Sequence, residues 1–164
     1  MAFEPKSKLK SLQELERLIR EAQSRGLLVV FTNGCFDLLH VGHIRYLQAA
    51  RAFGDLLVLA INGDASVRAI KGPGRPIQCQ EDRAEILASL ECVDYLTIFD
   101  APTVDELLFE LKPDIQAKGT DYTLESVPER NTVLSYGGRI AIAGDAKEHS
   151  TRDLIRTILT SFRS

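Results

Sequence analysis

Leu27-Leu28-Val29-Val30-Phe31-Thr32-Asn33-Gly34-Cys35-Phe36-Asp37-Leu38-Leu39-His40-Val41-Gly42-His43-Ile44 opens on an unbroken apolar run and closes on two histidines around a glycine. Residues 27–31 read as a buried strand, and Ile44 to Arg51 read as a helix. A glycine, a short loop and two imidazoles therefore stand where a first strand gives way to a helix. In an open α/β sheet, ligands bind at the carboxyl ends of the strands, and a helix N-terminus there attracts phosphate. Gly34 permits a sharp turn and close approach of backbone amides, and Gly42 leaves the helix entry without a side chain. His40 and His43 are three apart, so in a helical segment they share a face and donate to the same anion. Two such donors suit a phosphorus centre that gains charge in the transition state, where losing one well-placed donor costs roughly 100- to 1000-fold in rate.

Two other readings stand beside this one. A histidine near a helix start is often an ordinary surface residue. A His-x-x-His pair can also bind zinc, with Asp37 as a possible third ligand. The context favours phosphate chemistry, because two of the three histidines of the chain fall in one four-residue window directly after a strand.

Outward from this stretch, the pattern alternates. Upstream, Ser11-Leu12-Gln13-Glu14 is a capping box, and Leu12, Leu15, Ile19 and Ala22 mark an amphipathic helix that Gly26 ends. Residues 1–10 read as a loose tail, so residues 1–26 are expected as tail plus helix and 27–164 as the functional domain. Downstream, residues 56–61 form a second continuous apolar run, which implies parallel pairing with a right-handed crossover. A short helix over 65–70 leads to Lys71-Gly72-Pro73-Gly74-Arg75-Pro76, an irregular loop whose two cations suit a clamp over phosphates or simply face solvent.

Residues 80–90 read as a helix with Ile86, Leu87 and Leu90 inward, and Arg83 in its first turn hints weakly at an outside anion. A third strand spans 94–99. Thr103 to Glu106 reads as a cap for a helix stopped by Pro113, and a fourth strand follows over 114–118. Lys118-Gly119-Thr120-Asp121-Tyr122 then lies on the ligand side, as a charged turn or a substrate contact. A helix is expected over 125–136, ended by Gly137-Gly138, and a fifth strand over 139–143. Finally, His149-Ser150-Thr151-Arg152-Asp153 opens an amphipathic helix in a capping-box pattern, which is either a plain cap or a polyphosphate site. Strands alternating with helices give one doubly wound α/β domain with a parallel sheet of about five strands and helices on both faces.

Composition sets the bounds. The 164 residues, 45% apolar and 26% charged, suit one domain with a proper core. A net charge of -3 gives no reason to expect nucleic acid as a partner. No apolar run approaches the ~18 residues of a membrane span, and the first residues lack a signal-peptide core. Cys35, Cys79 and Cys92 fit reduced cytoplasmic thiols rather than a disulfide framework, and Cys35 reads as a packing residue.

Gly34 to His43, with its His-x-Gly-His close, resembles the signature of the cytidylyltransferase-like nucleotidyltransferase superfamily. The resemblance runs from about Leu27 to the final helix. It is greatest to the D-glycero-β-D-manno-heptose 1-phosphate adenylyltransferase (ADP-heptose synthase) domain, through residues 32–43, 62–67, 71–76, 91–94, 118–122 and 150–151. It implies a Rossmann-like domain that joins ATP and the heptose 1-phosphate into ADP-heptose and pyrophosphate, for lipopolysaccharide core or other glycan assembly. It also implies Mg²⁺ accompanying ATP. By the same resemblance, His40 and His43 are catalytic, with Lys118 beside the substrates. Thr32, Asn33, Gly34, Phe36, Asp37, Gly42, Lys71, Arg75, Gly119, Ser150 and Thr151 bind nucleotide or phosphate, and Asp121 binds substrate. No metal ligand is assigned to the protein.

Where relatives often carry Ser-Thr-Thr, this chain has Ser150-Thr151-Arg152. No sugar-kinase domain precedes the first strand, so a separate heptose kinase is expected upstream in the pathway, and relatives suggest a homo-oligomer. The rival reading is a cytidylyltransferase using CTP and glycerol 3-phosphate or another small alcohol phosphate, which shares the whole histidine apparatus. A nucleotide-binding module without turnover is the alternative of another class.

Overall fold

In the computed structural model, which describes residues 4–145 and 149–162, five parallel strands build one sheet. They are β1 (Val29–Gly34), β2 (Leu56–Asn62), β3 (Tyr95–Phe99), β4 (Ile115–Gly119) and β5 (Arg139–Ala143), in spatial order β3-β2-β1-β4-β5. The helices are α1 (Leu12–Ser24), α2 (Val41–Arg51), α3 (Asp64–Lys71), α4 (Gln80–Ala88), α5 (Asp105–Leu111), α6 (Arg130–Ser135) and α7 (Thr151–Ser161). The α/β class, the five parallel strands and the helices on both faces agree with the expectation from sequence.

The unbroken apolar runs have a simple cause: both faces of the central strands are covered. Alternation along β1 and β2 sends Val30, Leu57, Leu59 and Ile61 to one face, against Leu47 and Ala50 of α2 and Ala84 and Leu87 of α4. Val29, Phe31, Val58 and Ala60 go to the other face, against Leu15 and Ile19 of α1, Leu107, Leu108 and Leu111 of α5, and Val133 of α6. Each such side chain, taken fully out of water, contributes about 1.5–3 kcal/mol before the cost of ordering the chain.

The order of the strands reverses between β1 and β4. Pairing of these two is confined to Val30 with Ile115 and Phe31 with Gln116, short of their carboxyl ends. Thr32 and Tyr46 enter where the ladder stops. Each hydroxyl lies 3.1 Å from the carbonyl of Ala117, and the two hydroxyls meet each other in a short contact. The sheet therefore opens into a crevice at its carboxyl edge, the position at which such sheets bind ligands.

Local expectations were met in part. The Ser11–Glu14 capping box is present, with the backbone amides of both residues bonded to the opposite side chain. The tail is tied down instead of loose. Pro5–Lys8 form a 3-10 turn, Leu9 bridges to Leu96, and the Lys8 ammonium donates to the carbonyl of Leu90. Only its first three residues lie outside the described ones. Strand β1 runs on through Gly34, and α2 starts at Val41, so the loop between them is shorter than expected.

In α4 the inward stripe is Arg83, Ala84, Leu87 and Ala88, and Ile86 is 40% exposed. Thr103 does not cap α5. That helix starts after Val104, which is buried in the core, and no side chain caps it. The helix expected over 125–136 is only Arg130–Ser135, because Pro128 disfavours helical backbone at the residue before it.

Candidate active site

The crevice is a pocket of about 640 Å³. Strand ends supply its floor: Asn33 and Gly34 from β1, Asn62 from β2, Lys118 and Gly119 from β4, Ala143 from β5. The loop after β1, the N-termini of α2 and α7, and Lys71 with Arg75 supply its walls. Two helix N-termini thus face one pocket, each carrying partial positive charge.

His40 is the residue at which α2 is entered, with extended backbone, and His43 is in the first turn. Their rings stack at 3.9 Å between centroids with planes 28° apart. The amide of His40 donates to Nδ1 of His43 at 3.3 Å. Nδ1 of His43 is therefore the acceptor nitrogen, and Nε2 is left to carry the proton of a neutral ring. Phe36 fixes the other side, its ring 5.2 Å from that of His43.

Two glycines make this packing possible. A Cβ at Gly34 would lie 2.8 Å from the Phe36 ring, and one at Gly42 would lie 3.0 Å from the His40 ring. Both glycines thus make room for a neighbouring aromatic ring, where sequence suggested room for phosphate. Phe36 itself holds a left-handed backbone, with φ 47°, so the turn after β1 is strained. All three histidines of the chain reach the pocket, since the His149 ring lies 6.4 Å from that of His40.

Asp37 is spoken for. Its carboxylate, 2% exposed, accepts from Arg75 Nε at 2.6 Å and from the amides of Ile77 at 2.9 Å and Gln78 at 3.0 Å. Burial alone would raise its pKa, but those amides and the guanidinium hold it below the usual carboxylate range. Asp37 thus acts as a bracket for the 75–78 loop rather than as a phosphate or metal ligand, and Arg75 is its ion-pair partner.

Arg83 is a second bracket. Fully buried, it donates to the carbonyls of Cys35, Asn62 and Gln78 and pairs with Asp64 Oδ1 at 2.8 Å, so it binds strand ends and not an outside anion. Thr32 also departs from the expectation. It is fully buried beneath the pocket, bonded to Tyr46 and Ala117, and does not line it. Burial pushes the Tyr46 hydroxyl up to about 12, so it remains a neutral donor. Cys35 lines the pocket with its thiol 3.7 Å from Asn62 Oδ1, and burial pushes that thiol up, away from nucleophilic use.

On the far wall, Lys118 donates to Asn33 Oδ1 and to Glu129 Oε1, each at 3.0 Å. Asp121 and Gly119 line the same wall. Ser150 caps α7 by accepting from the amide of Asp153 at 3.1 Å, and it donates to that residue's carboxylate at 2.6 Å. Thr151 donates to the carbonyl of Leu38 at 3.0 Å, tying α7 to the loop after β1. The hydroxyls of both residues are engaged within the protein, which leaves the first-turn amides that Ser150 does not cap, and the pocket-lining Arg152, as α7 groups to face a ligand.

Sequence reasoning did not single out Glu129, Tyr46 or Arg45, and it quoted Asn62 and His149 only within longer stretches, without a role of their own. Among the described residues, no three His, Cys, Asp or Glu side chains come together as a metal site.

The geometry defines a nucleotide-type α/β site, and comparison with known proteins gives its class. Residues 31–157 match the model of the cytidylyltransferase-like family, and the chain belongs to that family. More particularly, the chain is 49% identical over 161 residues to the bifunctional protein HldE of Syntrophotalea carbinolica, covering 98% of this chain and 33% of that protein. It is 50% identical over 156 residues to HldE of Geobacter sulfurreducens, covering 95% and 32%. The chain spans about a third of the length of the curated relatives it matches.

Among solved structures, a lipopolysaccharide core biosynthesis protein from Thermoplasma volcanium superposes with a TM-score of 0.65 at 27% identity, covering 74% of this chain and all of that one. Pantothenate synthetase from Thermus thermophilus shares the fold alone, with a TM-score of 0.59 at 18% identity over 90% of this chain and 67% of that one. No helix among the described residues is long and apolar enough to cross a membrane.

Proposed function

We propose that this chain is a sugar-phosphate adenylyltransferase that transfers AMP from ATP to D-glycero-β-D-manno-heptose 1-phosphate, giving ADP-heptose and pyrophosphate. The observation that carries the reading is the His40–His43 stack at the N-terminus of α2, facing a cation-lined crevice at the strand-order switch. The alignment of 95–98% of this chain with about a third of the bifunctional HldE proteins supports the reading.

In this reading an oxygen of the sugar phosphate, already ionised at neutral pH, attacks the α-phosphorus in line. The new O–P bond forms as the bond to the β-phosphate oxygen breaks, and the electron pair leaves with pyrophosphate. No covalent enzyme intermediate and no strong general base are needed, so positioning and charge neutralisation carry the catalysis. His43 donates from Nε2 to the phosphoryl oxygens beside His40, and the free amides of α2 and α7 hold the remaining phosphates. Lys71 and Arg75 meet phosphate from the loop that Asp37 holds down. Lys118 and Asp121 face the substrates from the β4 wall.

Mg²⁺ would arrive on the phosphates of ATP as part of the substrate. Residues 27–164 would carry the chemistry, with α1 packed beneath as support. A cytoplasmic sugar kinase would supply the 1-phosphate.

Pyrophosphate release with Mg²⁺, testing ATP and CTP each against heptose 1-phosphate and glycerol 3-phosphate, tests the reading. Turnover with ATP and the heptose phosphate alone is expected. Turnover with CTP would move the protein to the cytidylyltransferase branch. Tight nucleotide binding with no turnover in any of the four pairings would make it a binding module.

A further inference from the structure

Lys118, on the pocket floor, forms a buried ion pair with Glu129 behind it. Both side chains are 9% exposed. The ammonium has three N–H donors. Two are committed, to Glu129 Oε1 and to Asn33 Oδ1, each at 3.0 Å. Asn33 Oδ1 also lies 3.4 Å from Gln116 Nε2, so one oxygen joins β1 to two side chains of β4. With two donors fixed, the direction of the third is fixed as well, on a residue that lines the pocket and lies 5.6 Å from the Tyr122 ring. A free lysine tip must lose its rotamer freedom when it meets a ligand, and this one has already lost it.

As a stabilising device the pair is poorly built. Glu129 Oε2 is buried with no hydrogen-bond partner in the protein, and the same holds for Gln116 Oε1. Unmet buried acceptors are costly, and an apolar pair of similar volume would stabilise the fold at least as well. What the arrangement does supply is a defined position for Lys118 at the crevice between β1 and β4. Glu129 stands just ahead of α6, after Pro128, and α6 is anchored to α5 by Thr132 donating to Asp105 at 2.6 Å. The carboxylate therefore comes from a fixed point on the outer layer.

We propose that Glu129 is the positioning residue for Lys118, setting where its remaining N–H meets the substrates. The proposal rests on the adenylyltransferase reading for the identity of those substrates and on the geometry alone for the dependence of one residue on the other.

The experiment compares E129D and E129Q, alone and in a K118A background, by kcat/KM and by ATP affinity, with melting temperature recorded for each. E129D keeps the charge and withdraws the carboxylate by one methylene. E129Q keeps the reach and loses the charge. Positioning makes E129Q the better enzyme, within about fivefold of wild type, and E129D about tenfold or more below it, since misplacement of about 1 Å can cost as much as 100-fold. In the K118A background both substitutions should change kcat/KM by less than about twofold.

The reverse order, with E129D superior, would mean that Glu129 serves only as a neutralising charge and would overturn the proposal. So would an equal loss in both Lys118 backgrounds. Wild-type turnover is measured in the same assay. Its absence would overturn the functional reading, and the order of the variants in ATP affinity would then decide the positioning proposal separately.

Discussion

Two helices deliver their N-termini to the same pocket, and they are held in opposite ways. Helix α2 is anchored in the core through Leu47 and Ala50, both fully buried. Its first turn carries stacked imidazoles that glycine and phenylalanine lock in place. Helix α7 buries no residue, and Ile158 and Leu159 on it are 51% and 55% exposed. Its first turn carries its own Ser150–Asp153 cap, and among the described residues the Thr151 hydroxyl ties it to the carbonyl of Leu38. Donors that must meet developing charge cannot reorganise at the moment of reaction, whereas donors that hold a ground-state phosphate can adjust. On the proposed reading, this difference puts the chemical step at α2 and nucleotide retention at α7.

The largest effect should come from the stack. His40→Ala or His43→Ala is expected to lower kcat roughly 100- to 1000-fold with the fold intact, measured by pyrophosphate release and circular dichroism. Gly42→Ala is a sharper probe, because the new Cβ meets the His40 ring at 3.0 Å while alanine favours the helix by ~0.5–1 kcal/mol. Activity should fall about tenfold or more while the melting temperature holds or rises. A fully active Gly42→Ala enzyme would separate catalysis from the packing of His40.

Asp37→Asn should loosen the 75–78 loop and show a distinct pH signature. Because the folded pKa of Asp37 is depressed, its contribution is complete above the unfolded value of about 3.9 and fades as pH falls through the folded one. The variant should therefore be less stable at neutral pH, and the gap to wild type should narrow below about pH 4 in a series of thermal melts. The smallest effect is expected at α7. Ser150→Ala removes a cap worth ~1 kcal/mol and should raise the KM for ATP a few-fold with little change in kcat. A larger loss in kcat than in KM there would erase the contrast between the two helices.

The legible parts of the molecule were those with local causes. Apolar runs gave the strands, and the Ser11–Glu14 and Ser150–Asp153 patterns gave two helix starts that the fold uses. The histidine window and the loop cations were visible because their spacing is short. Arg83 was misread because two of its carbonyl partners, Cys35 and Asn62, stand at the ends of strands far from it in sequence. Thr32 and Asp37 carry the right residue types in the right place, yet folding spends them on Tyr46 and on Arg75. Glu129 gave no signal at all, since residues 125–136 read as one helix and only the parting of β1 from β4 brings it to Lys118.

The most direct test is kcat for His43→Ala at saturating ATP and acceptor, with the ATP dissociation constant measured beside it. A fall of at least about 100-fold in kcat, with ATP affinity within about tenfold of wild type, is the expected result. A kcat within about tenfold of wild type, ~1.4 kcal/mol in barrier, would contradict the assignment of the chemical step to α2.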